Sequence, residues 1–162
     1  MVGGRHGPVV ATAGADGTVR LWAEDGTPRG RPLCGHQDQV ATIAAVTSAA
    51  GHVLLLSGGH DGTLRLWDPE DGSLRHTVPL GDAVHALAQQ APDPGSRRRT
   101  GGGATVTVGV AGGVVSVDLH AALFDGGVPQ GRGAEVAVVR TSTAMGRTVR
   151  LPHTAGAVRT PS

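Results

Sequence analysis

Three residues of this chain have side chains that could act together on a substrate. His36, Ser57 and Asp61 are the residue types that a nucleophilic hydrolase combines, with the histidine as base and the aspartate orienting it. Such enzymes often place the serine on a sharp turn within Gly-x-Ser-x-Gly. Ser57 instead follows Leu55-Leu56 and precedes Gly58-Gly59, so it lies inside a predicted strand. We therefore favour a structural role for these residues over catalysis.

Residue types and spacing give little support to other chemical sites. The chain has eight histidines but no His-Glu-x-x-His or Cys/His cluster, so we expect no metal ion. It has no lysine, which excludes a Walker A loop and Schiff-base chemistry. Arg97-Arg98-Arg99 is interpreted as a solvated loop, and Cys34 as a small buried apolar residue. We expect no cofactor and no catalytic activity.

Composition also limits the partners and the compartment. The net charge is +1 over 162 residues, so no strong field attracts nucleic acid or an anionic membrane. One cysteine allows no internal disulfide, and no apolar stretch approaches the ~20 residues of a membrane span. The sequence therefore predicts a cytoplasmic protein that binds neither nucleic acid nor membrane. The absence of lysine, asparagine and tyrosine indicates a GC-rich genome, since their codons are AT-rich.

The elements that must position these residues are organised as a repeat. The segment Thr12–Trp22 recurs 45 residues later as Ser57–Trp67, with seven of eleven positions identical. Each copy has short runs rich in β-branched residues on either side of an Asp-Gly turn, a pattern typical of strand, turn, strand. A fixed period near 45 residues favours an all-β propeller over a single sandwich or barrel.

These repeats resemble those of the WD40 family, whose units contain a Gly-His dipeptide and close on Trp-Asp. The chain has Gly35-His36 and Trp67-Asp68, and Leu55–Asp68 is similar to the family's best-known stretch. The resemblance covers roughly residues 9–119 and implies four-stranded antiparallel blades. It also implies a buried hydrogen-bonded relay in the complete unit, here Trp67, Ser57, His36 and Asp61.

The relay is chemically reasonable because each buried polar group gains a partner. The indole N–H of Trp67 can donate to Ser57, whose hydroxyl can bond one nitrogen of His36. The other imidazole nitrogen can bond Asp61. A fully satisfied buried network stiffens the unit, whereas a partly satisfied one is costly.

The first and third units lack a complete relay. The first has no matching histidine, because His6 lies only ten residues before Asp16, against 25 residues from His36 to Asp61. Its partial relay consists of Thr12, Asp16 and Trp22. In the third unit we align Val117 with Leu66. That alignment places Asp82, Gly112 and Asp118 at the histidine, aspartate and tryptophan positions.

The repeat divides the chain into an all-β, partial propeller of four-stranded blades with an incomplete ring. We expect an N-terminal extension at 1–8, a partial blade without its innermost strand at 9–34, a complete blade at 35–80, a degenerate blade at 81–119 with a loop insertion at 90–103, and a Gly-rich tail at 120–162 with strands at 135–141 and 147–151. Propellers close with about four to eight blades. The chain is then a fragment of a longer protein, one of several chains that complete a ring, or an addition to a partner's ring. We favour the fragment.

The resemblance implies a non-catalytic scaffold for protein–protein interaction, in bacteria often within a larger signalling or regulatory protein. Partners of such propellers contact mainly one rim. On this chain the matching positions are Ala15, Gln37, Asp38, Gln39 and His60. The alternatives are a propeller-borne hydrolase or lyase, and a degenerate fragment with no function of its own. An enzyme would need a convergent polar cluster besides the relay, and the sequence has none.

Overall fold

The computed structural model describes residues 2–4, 7–89, 103–124 and 137–141. These residues form twelve strands in three four-stranded antiparallel sheets, with one 3-10 turn at Ala121–Leu123. Each sheet is called a blade. Blade 1 contains β1 (Val2–Gly4), β2 (Gly7–Ala13), β3 (Thr18–Ala23) and β4 (Leu33–Cys34). Blade 2 contains β5 (Val40–Thr47), β6 (Val53–Gly59), β7 (Thr63–Trp67) and β8 (Leu74–Pro79). Blade 3 contains β9 (Val84–Gln89), β10 (Ala104–Val110), β11 (Gly113–Leu119) and β12 (Ala137–Thr141).

Tight turns between the second and third strands of blades 1 and 2 follow from an Asp-Gly pair. Gly17 and Gly62 have φ of 76° and 73°, which a residue with a Cβ adopts only at a cost. The preceding aspartates, Asp16 and Asp61, each accept the N–H of the threonine two residues on, at 3.1 Å. Such a side-chain bond mimics a backbone turn and fixes the hairpin locally.

The blades pack face to face and share two apolar clusters. One joins Val9, Val19, Leu21 and Leu33 of blade 1 to Leu55 and Trp67 of blade 2. The other joins Leu54, Leu56, Leu64 and Leu66 of blade 2 to Val106, Val108, Val115 and Val117 of blade 3. Blade 2 is thus covered on both faces, which explains why Leu54–Gly59 of β6 is buried at every position rather than at alternate ones.

The first blade differs from the arrangement expected from the sequence. Val2–Gly4 pairs antiparallel with Gly7–Ala13, so the segment expected to be an extension at 1–8 contains an innermost strand. Val-Gly-Gly has no alternating pattern and contains two residues with weak strand preference. Pairing with β2, rather than local propensity, therefore places this strand.

The third blade also extends beyond its expected end at residue 119. Ala137–Thr141 pairs antiparallel with β11 and supplies the fourth strand, within the stretch 135–141 where the sequence predicts one. The strand expected at 147–151 lies outside the described residues, as does the loop expected at 90–103 apart from Gly103. Within the described residues there are three blades, fewer than the four to eight of a closed propeller, and the ring is open. In the described part of the chain, no helix has both the length and the apolarity to cross a membrane.

Candidate functional site

Four side chains of blade 2 form one continuous chain of hydrogen bonds. The Trp67 indole nitrogen lies 2.9 Å from the Ser57 hydroxyl oxygen, which lies 2.8 Å from Nε2 of His36. Nδ1 of His36 lies 3.0 Å from the nearer oxygen of Asp61. Because a carboxylate only accepts, the proton of the imidazole is assigned to Nδ1, and Nε2 accepts the Ser57 hydroxyl proton. Every polar atom of the relay then has a partner.

Backbone and side-chain donors hold the Asp61 carboxylate in place. One of its oxygens accepts the Gln37 N–H at 2.9 Å, and the other accepts the Thr63 N–H and hydroxyl at 3.1 and 2.8 Å. Burial by itself would raise the pKa of Asp61, but the bonds from Gln37, Thr63 and His36 outweigh it and lower the pKa below 3.8. Asp61 is therefore a fixed, charged acceptor for the imidazole.

The environment of His36 keeps its imidazole neutral. Burial lowers the pKa of His36 below 6.5; the bond and charge of Asp61 oppose this shift, and the charge of Arg65 adds to it. The pKa of His76 on β8 is also lowered, by burial alone. At neutral pH both rings are uncharged, which suits the apolar surroundings of the blade.

This pair of histidines makes stability depend on pH. As the pH falls, these histidines are protonated near pH 6.5 in the unfolded chain but only at a lower pH in the folded chain. Their contribution to the free energy of unfolding is therefore fully present above pH 6.5. It is lost as the pH drops toward their lowered pKa values in the folded chain. We expect a lower free energy of unfolding at pH 5.5 than at pH 7.5, by up to about 1.4 kcal/mol per pH unit for each ring. Urea unfolding at the two pH values measures this difference. The loss should shrink in His76→Gln; an unchanged loss would contradict the assignment to His76.

The geometry of the Ser57, His36 and Asp61 set is unsuited to a substrate. Ser57 has 0% exposure, and the His36 side chain is likewise fully enclosed. The Ser57 oxygen already accepts the Trp67 N–H. A surface cleft of about 290 Å³ lies elsewhere, lined among others by Leu33 and Gly72, and none of its lining residues is a serine, cysteine or histidine.

The described residues contain no group of three or more metal-ligating side chains. Cys34, expected to be buried, is exposed. Its strand β4 has only two residues; Leu33 faces the core, and by alternation the next side chain faces solvent.

In blade 1 the three partial-relay residues are brought to one face. The Trp22 indole donates to the Thr12 hydroxyl at 2.9 Å, the length of the Trp67–Ser57 bond. Asp16 accepts the N–H and the hydroxyl of Thr18 at 3.1 and 2.7 Å. Among the described residues no imidazole is hydrogen-bonded to Thr12 or Asp16.

Strand register shows which residues of blade 3 stand at the relay positions. In blade 2 the second pair after the bulge of β5 is Ile43 with Ser57. In blade 3 the second pair after the bulge of β9 is Leu87 with Val108. Val108 is therefore the counterpart of Ser57. On the other side of each middle strand, Val106 pairs with Val117 as Leu55 pairs with Trp67. Val117, and not Asp118, is thus the counterpart of Trp67.

The histidine position of blade 3 is occupied by Leu80. The Asp82 carboxylate accepts the N–H of the next residue, as the Asp38 carboxylate does, so Asp82 corresponds to Asp38 rather than to His36. Leu80 then corresponds to His36. At the tryptophan position, the sequence alignment was wrong by one residue because the turn between β10 and β11 has two residues, Ala111-Gly112, against three in blade 2.

Blade 3 thus replaces the buried polar relay positions with apolar residues. Leu80 is 8% exposed, and Val108 and Val117 are fully buried. Replacing all the partners of a polar network together leaves no unsatisfied group, whereas losing one partner would leave several. The third blade therefore stacks on blade 2 through an aliphatic surface.

The five rim positions lie along one edge of the described region. Ala15, Gln37 and Asp38 are exposed, and Gln39 and His60 are half-buried. The Gln39 amide donates to Nδ1 of His60 at 3.0 Å. Backbone bonds tie the turns and loops of this edge together, from Val40 to Gly14, from His60 to Gln39 and from Leu80 to Gly62.

His85 also lies at this edge, although no sequence pattern indicated it. Its ring lies edge-on to that of His60, with centroids 5.0 Å apart. His85 begins the bulge of β9, next to Val84, and this bulge brings it to the edge. The matching position in blade 2 is Ala41, so the repeat could not have indicated a ring there.

Stacked four-stranded antiparallel blades with a Trp–Ser–His–Asp relay define a β-propeller repeat. The family described as "WD domain, G-beta repeat" matches residues 4–23 and 27–68. The chain is a WD40 repeat protein. The matched ranges end before β9, where the third blade loses its polar relay.

Relatives and solved structures agree with this assignment. A probable cytosolic iron-sulfur protein assembly protein, Ciao1 of Culex quinquefasciatus, is 39% identical over 45% of this chain and 22% of its own length. The small ribosomal subunit protein RACK1 of Caenorhabditis elegans is 33% identical over 50% of this chain and 24% of its own. The RRP9 WD40 repeats cover 68% of this chain with a TM-score of 0.53 at 20% identity, and 30% of that structure is matched. The chain therefore spans about a quarter of the length of these two relatives.

Proposed function

We propose that this chain is a non-catalytic interaction module that binds a protein partner through its rim (Ala15, Gln37, Asp38, Gln39 and His60). The observation that carries the proposal is the rim itself: exposed polar side chains lie on loops that backbone bonds tie to a rigid stack of blades. Loops held on a rigid scaffold are the usual position of binding residues. The relatives named as an iron-sulfur protein assembly protein and as a small ribosomal subunit protein support the same conclusion.

The partner is a protein, and we assign the chain no enzymatic activity. The one Ser-His-Asp set of the described residues is enclosed and already engaged with Trp67, which supports a structural role for it. The net charge of +1 gives no basis for binding nucleic acid or a membrane surface. A cytoplasmic location is supported by the cytosolic and ribosomal names of the two relatives.

A photo-crosslinking experiment tests the rim. A photoreactive amino acid is placed at Gln37 in the full chain and, as a control, at Glu24, an exposed residue in the turn at the opposite end of β3. Irradiation in the native cells is expected to give a discrete protein adduct from position 37 and none from position 24. The adduct should be lost with Asp38→Lys and retained with Glu24→Lys, as judged by gel shift and mass spectrometry. Equal labelling from the two positions, or an adduct insensitive to Asp38→Lys, would remove the support for a rim interface.

A further inference from the structure

The surface cleft between blades 1 and 2 lies at the end of the blades opposite to the rim. One wall is the loop 29–32 between β3 and β4, and the other is the turn 69–72 between β7 and β8. The buried lining residues Leu21, Leu33 and Pro69 form an apolar floor. The volume of about 290 Å³ is at the lower end for ligand sites, so the cleft accommodates one side chain with its neighbouring backbone rather than a whole cofactor.

Backbone hydrogen bonds hold both walls of the cleft in place. The Arg29 N–H donates to the Leu21 carbonyl at 2.8 Å, which fixes the first wall on β3. The Gly72 N–H donates to the Asp68 carbonyl at 2.9 Å, which closes the second wall into a turn. A Cβ on Gly72 would lie 3.0 Å from a side-chain carbon of Leu33, so glycine at this position lets the two walls approach each other. The cleft is therefore a formed part of the junction between the two blades.

The two walls differ in how their charges are paired. At the second wall, the carboxylates of Asp68 and Asp71 share the guanidinium of Arg75, at 2.5 and 3.9 Å. At the first wall, the guanidinium groups of Arg29 and Arg31 have no hydrogen bond or ion pair to any residue that the structure describes. The charge that lacks a partner in the cleft is therefore positive.

A third guanidinium without a partner lies further along the same junction. Arg65 and Trp67 alternate on one face of β7, and a Cβ on Gly35 would lie 2.5 Å from a terminal nitrogen of Arg65. Since Gly35 directly follows β4, this guanidinium lies against the segment of blade 1 that continues from the first wall. Nε of Arg65 is enclosed and has no hydrogen-bond partner, although the residue as a whole is only half-buried. A desolvated cationic group is costly unless a group such as a carboxylate pairs with it.

We propose that the cleft binds an acidic segment of a partner polypeptide. An aliphatic side chain of this segment packs on Leu21 and Leu33, and carboxylates on either side of it pair with Arg31 and Arg65. The span is suitable because an extended chain from Arg31 to Gly35, beside Arg65, covers at most about 14 Å. Two glutamates that flank a leucine in an extended segment reach over a similar length.

The second wall determines the kind of anion that fits. Glu70 and Asp71 line this wall, and their carboxylates repel the closely spaced phosphates of a nucleic acid or an anionic membrane. Phosphates would also leave the apolar floor uncovered. A short acidic segment of a polypeptide contacts the first wall and covers the floor with its aliphatic side chain. This interface is additional to the rim, because the two lie at opposite ends of the blades.

Titration of the 15N-labelled full chain with a capped peptide tests the proposal. The probe is acetyl-Gly-Glu-Leu-Glu-Gly-amide, which has the same residue order in both chain directions. The backbone N–H signals of Arg29 and Gly72, one on each wall, should shift saturably with a dissociation constant of about 0.1–1 mM. Replacing both glutamates of the probe with glutamine, or its leucine with glycine, should weaken binding at least about fivefold. Raising the salt from about 0.05 M to about 0.5 M should also weaken it.

Variants of the protein separate the cleft from its other surfaces. Arg31→Gln and Arg65→Gln should each weaken binding at least about fivefold, because each removes one ion pair. Arg20→Gln is the matched control, since Arg20 is the counterpart of Arg65 in the first copy of the repeat and lies on the face of blade 1 that points away from blade 2. Asp38→Lys, the rim variant, should leave peptide binding unchanged, so failure of the rim interface and failure of the cleft interface are distinguishable.

Several results would overturn the proposal. They are no saturable shift on either wall, equal binding of the glutamate and glutamine probes, or unchanged binding by Arg31→Gln, which decides the outcome even if Arg65→Gln does not fold. Inorganic phosphate that shifts the same signals at the same concentration would make the cleft a general anion site, which also contradicts the proposal. Light scattering identifies the occupant. A dimer that the probe dissociates would make it a second copy of this chain and would rule out a separate partner.

Discussion

Replacing Trp67 with alanine is expected to lower the free energy of unfolding by about 3–5 kcal/mol. The indole is 2% exposed and belongs to the apolar cluster that joins blades 1 and 2, so its removal leaves a cavity in the interface. It also removes the donor that satisfies the Ser57 oxygen. Because a small domain is stable by about 5–15 kcal/mol, this loss is a large part of the total.

The matched control is Trp22→Ala in blade 1. Trp22 makes the same indole bond, to Thr12, but its ring lies on the face of blade 1 that points away from blade 2 and is only half-buried. We expect a loss of less than about half that of Trp67→Ala, because less apolar area leaves water on folding. Urea unfolding followed by circular dichroism gives both values. Equal losses would mean that burial between the blades does not set the energy. If Trp67→Ala does not fold, Trp67→Phe, which keeps most of the ring, allows the same comparison.

The second large effect is expected for His36→Ala, at about 3 kcal/mol. This change leaves the Ser57 hydroxyl without its acceptor and the Asp61 carboxylate without its imidazole donor, while both remain enclosed. An unsatisfied buried group costs about 1–3 kcal/mol, and a charged one costs more. Asp16→Ala, which removes the exposed counterpart in blade 1, should cost much less, because solvent screens its carboxylate.

A double-mutant cycle separates the relay from the loss of side-chain volume. His36→Ala, Asp61→Ala and the double variant are compared by urea unfolding. Groups in one hydrogen-bonded network typically give a coupling energy of about 0.5–3 kcal/mol, so the double variant should be more stable than the sum of the single losses predicts. Additive losses would show that His36 and Asp61 contribute independently and that the relay does not act as a unit.

Blade 3 has apolar residues at the positions that form the polar relay in blade 2. Leu80, Val108 and Val117 fill the places of His36, Ser57 and Trp67, so apolar side chains occupy these positions at the interface with blade 2. An all-apolar set avoids the cost of desolvating polar groups but loses the directional bonds that fix one register. The relay of blade 2 instead fixes the loop that carries His36 against β6 and the turn before β7.

Much of the local structure was available from the sequence because it depends on short-range rules. Asp-Gly pairs fixed the turns at Gly17 and Gly62, and short runs rich in β-branched residues indicated the strands around them. The resemblance to WD40 repeats implied the relay of His36, Ser57, Asp61 and Trp67, and the donor and acceptor capacities of the side chains were compatible with it. All of these features are set within a single repeat.

Features that depend on register and on neighbouring blades could not be read in this way. The strand Val2–Gly4 exists because it pairs with β2, and a turn shortened to Ala111-Gly112 moved the counterpart of Trp67 from Asp118 to Val117. The burial of equivalent positions is the clearest case. Val10 and Leu55 occupy equivalent positions, yet one is 40% exposed and the other 2%. The sequence of a repeat determines the hydrogen bonds within that repeat. The burial of its residues depends on whether another blade covers them, which only the tertiary structure decides.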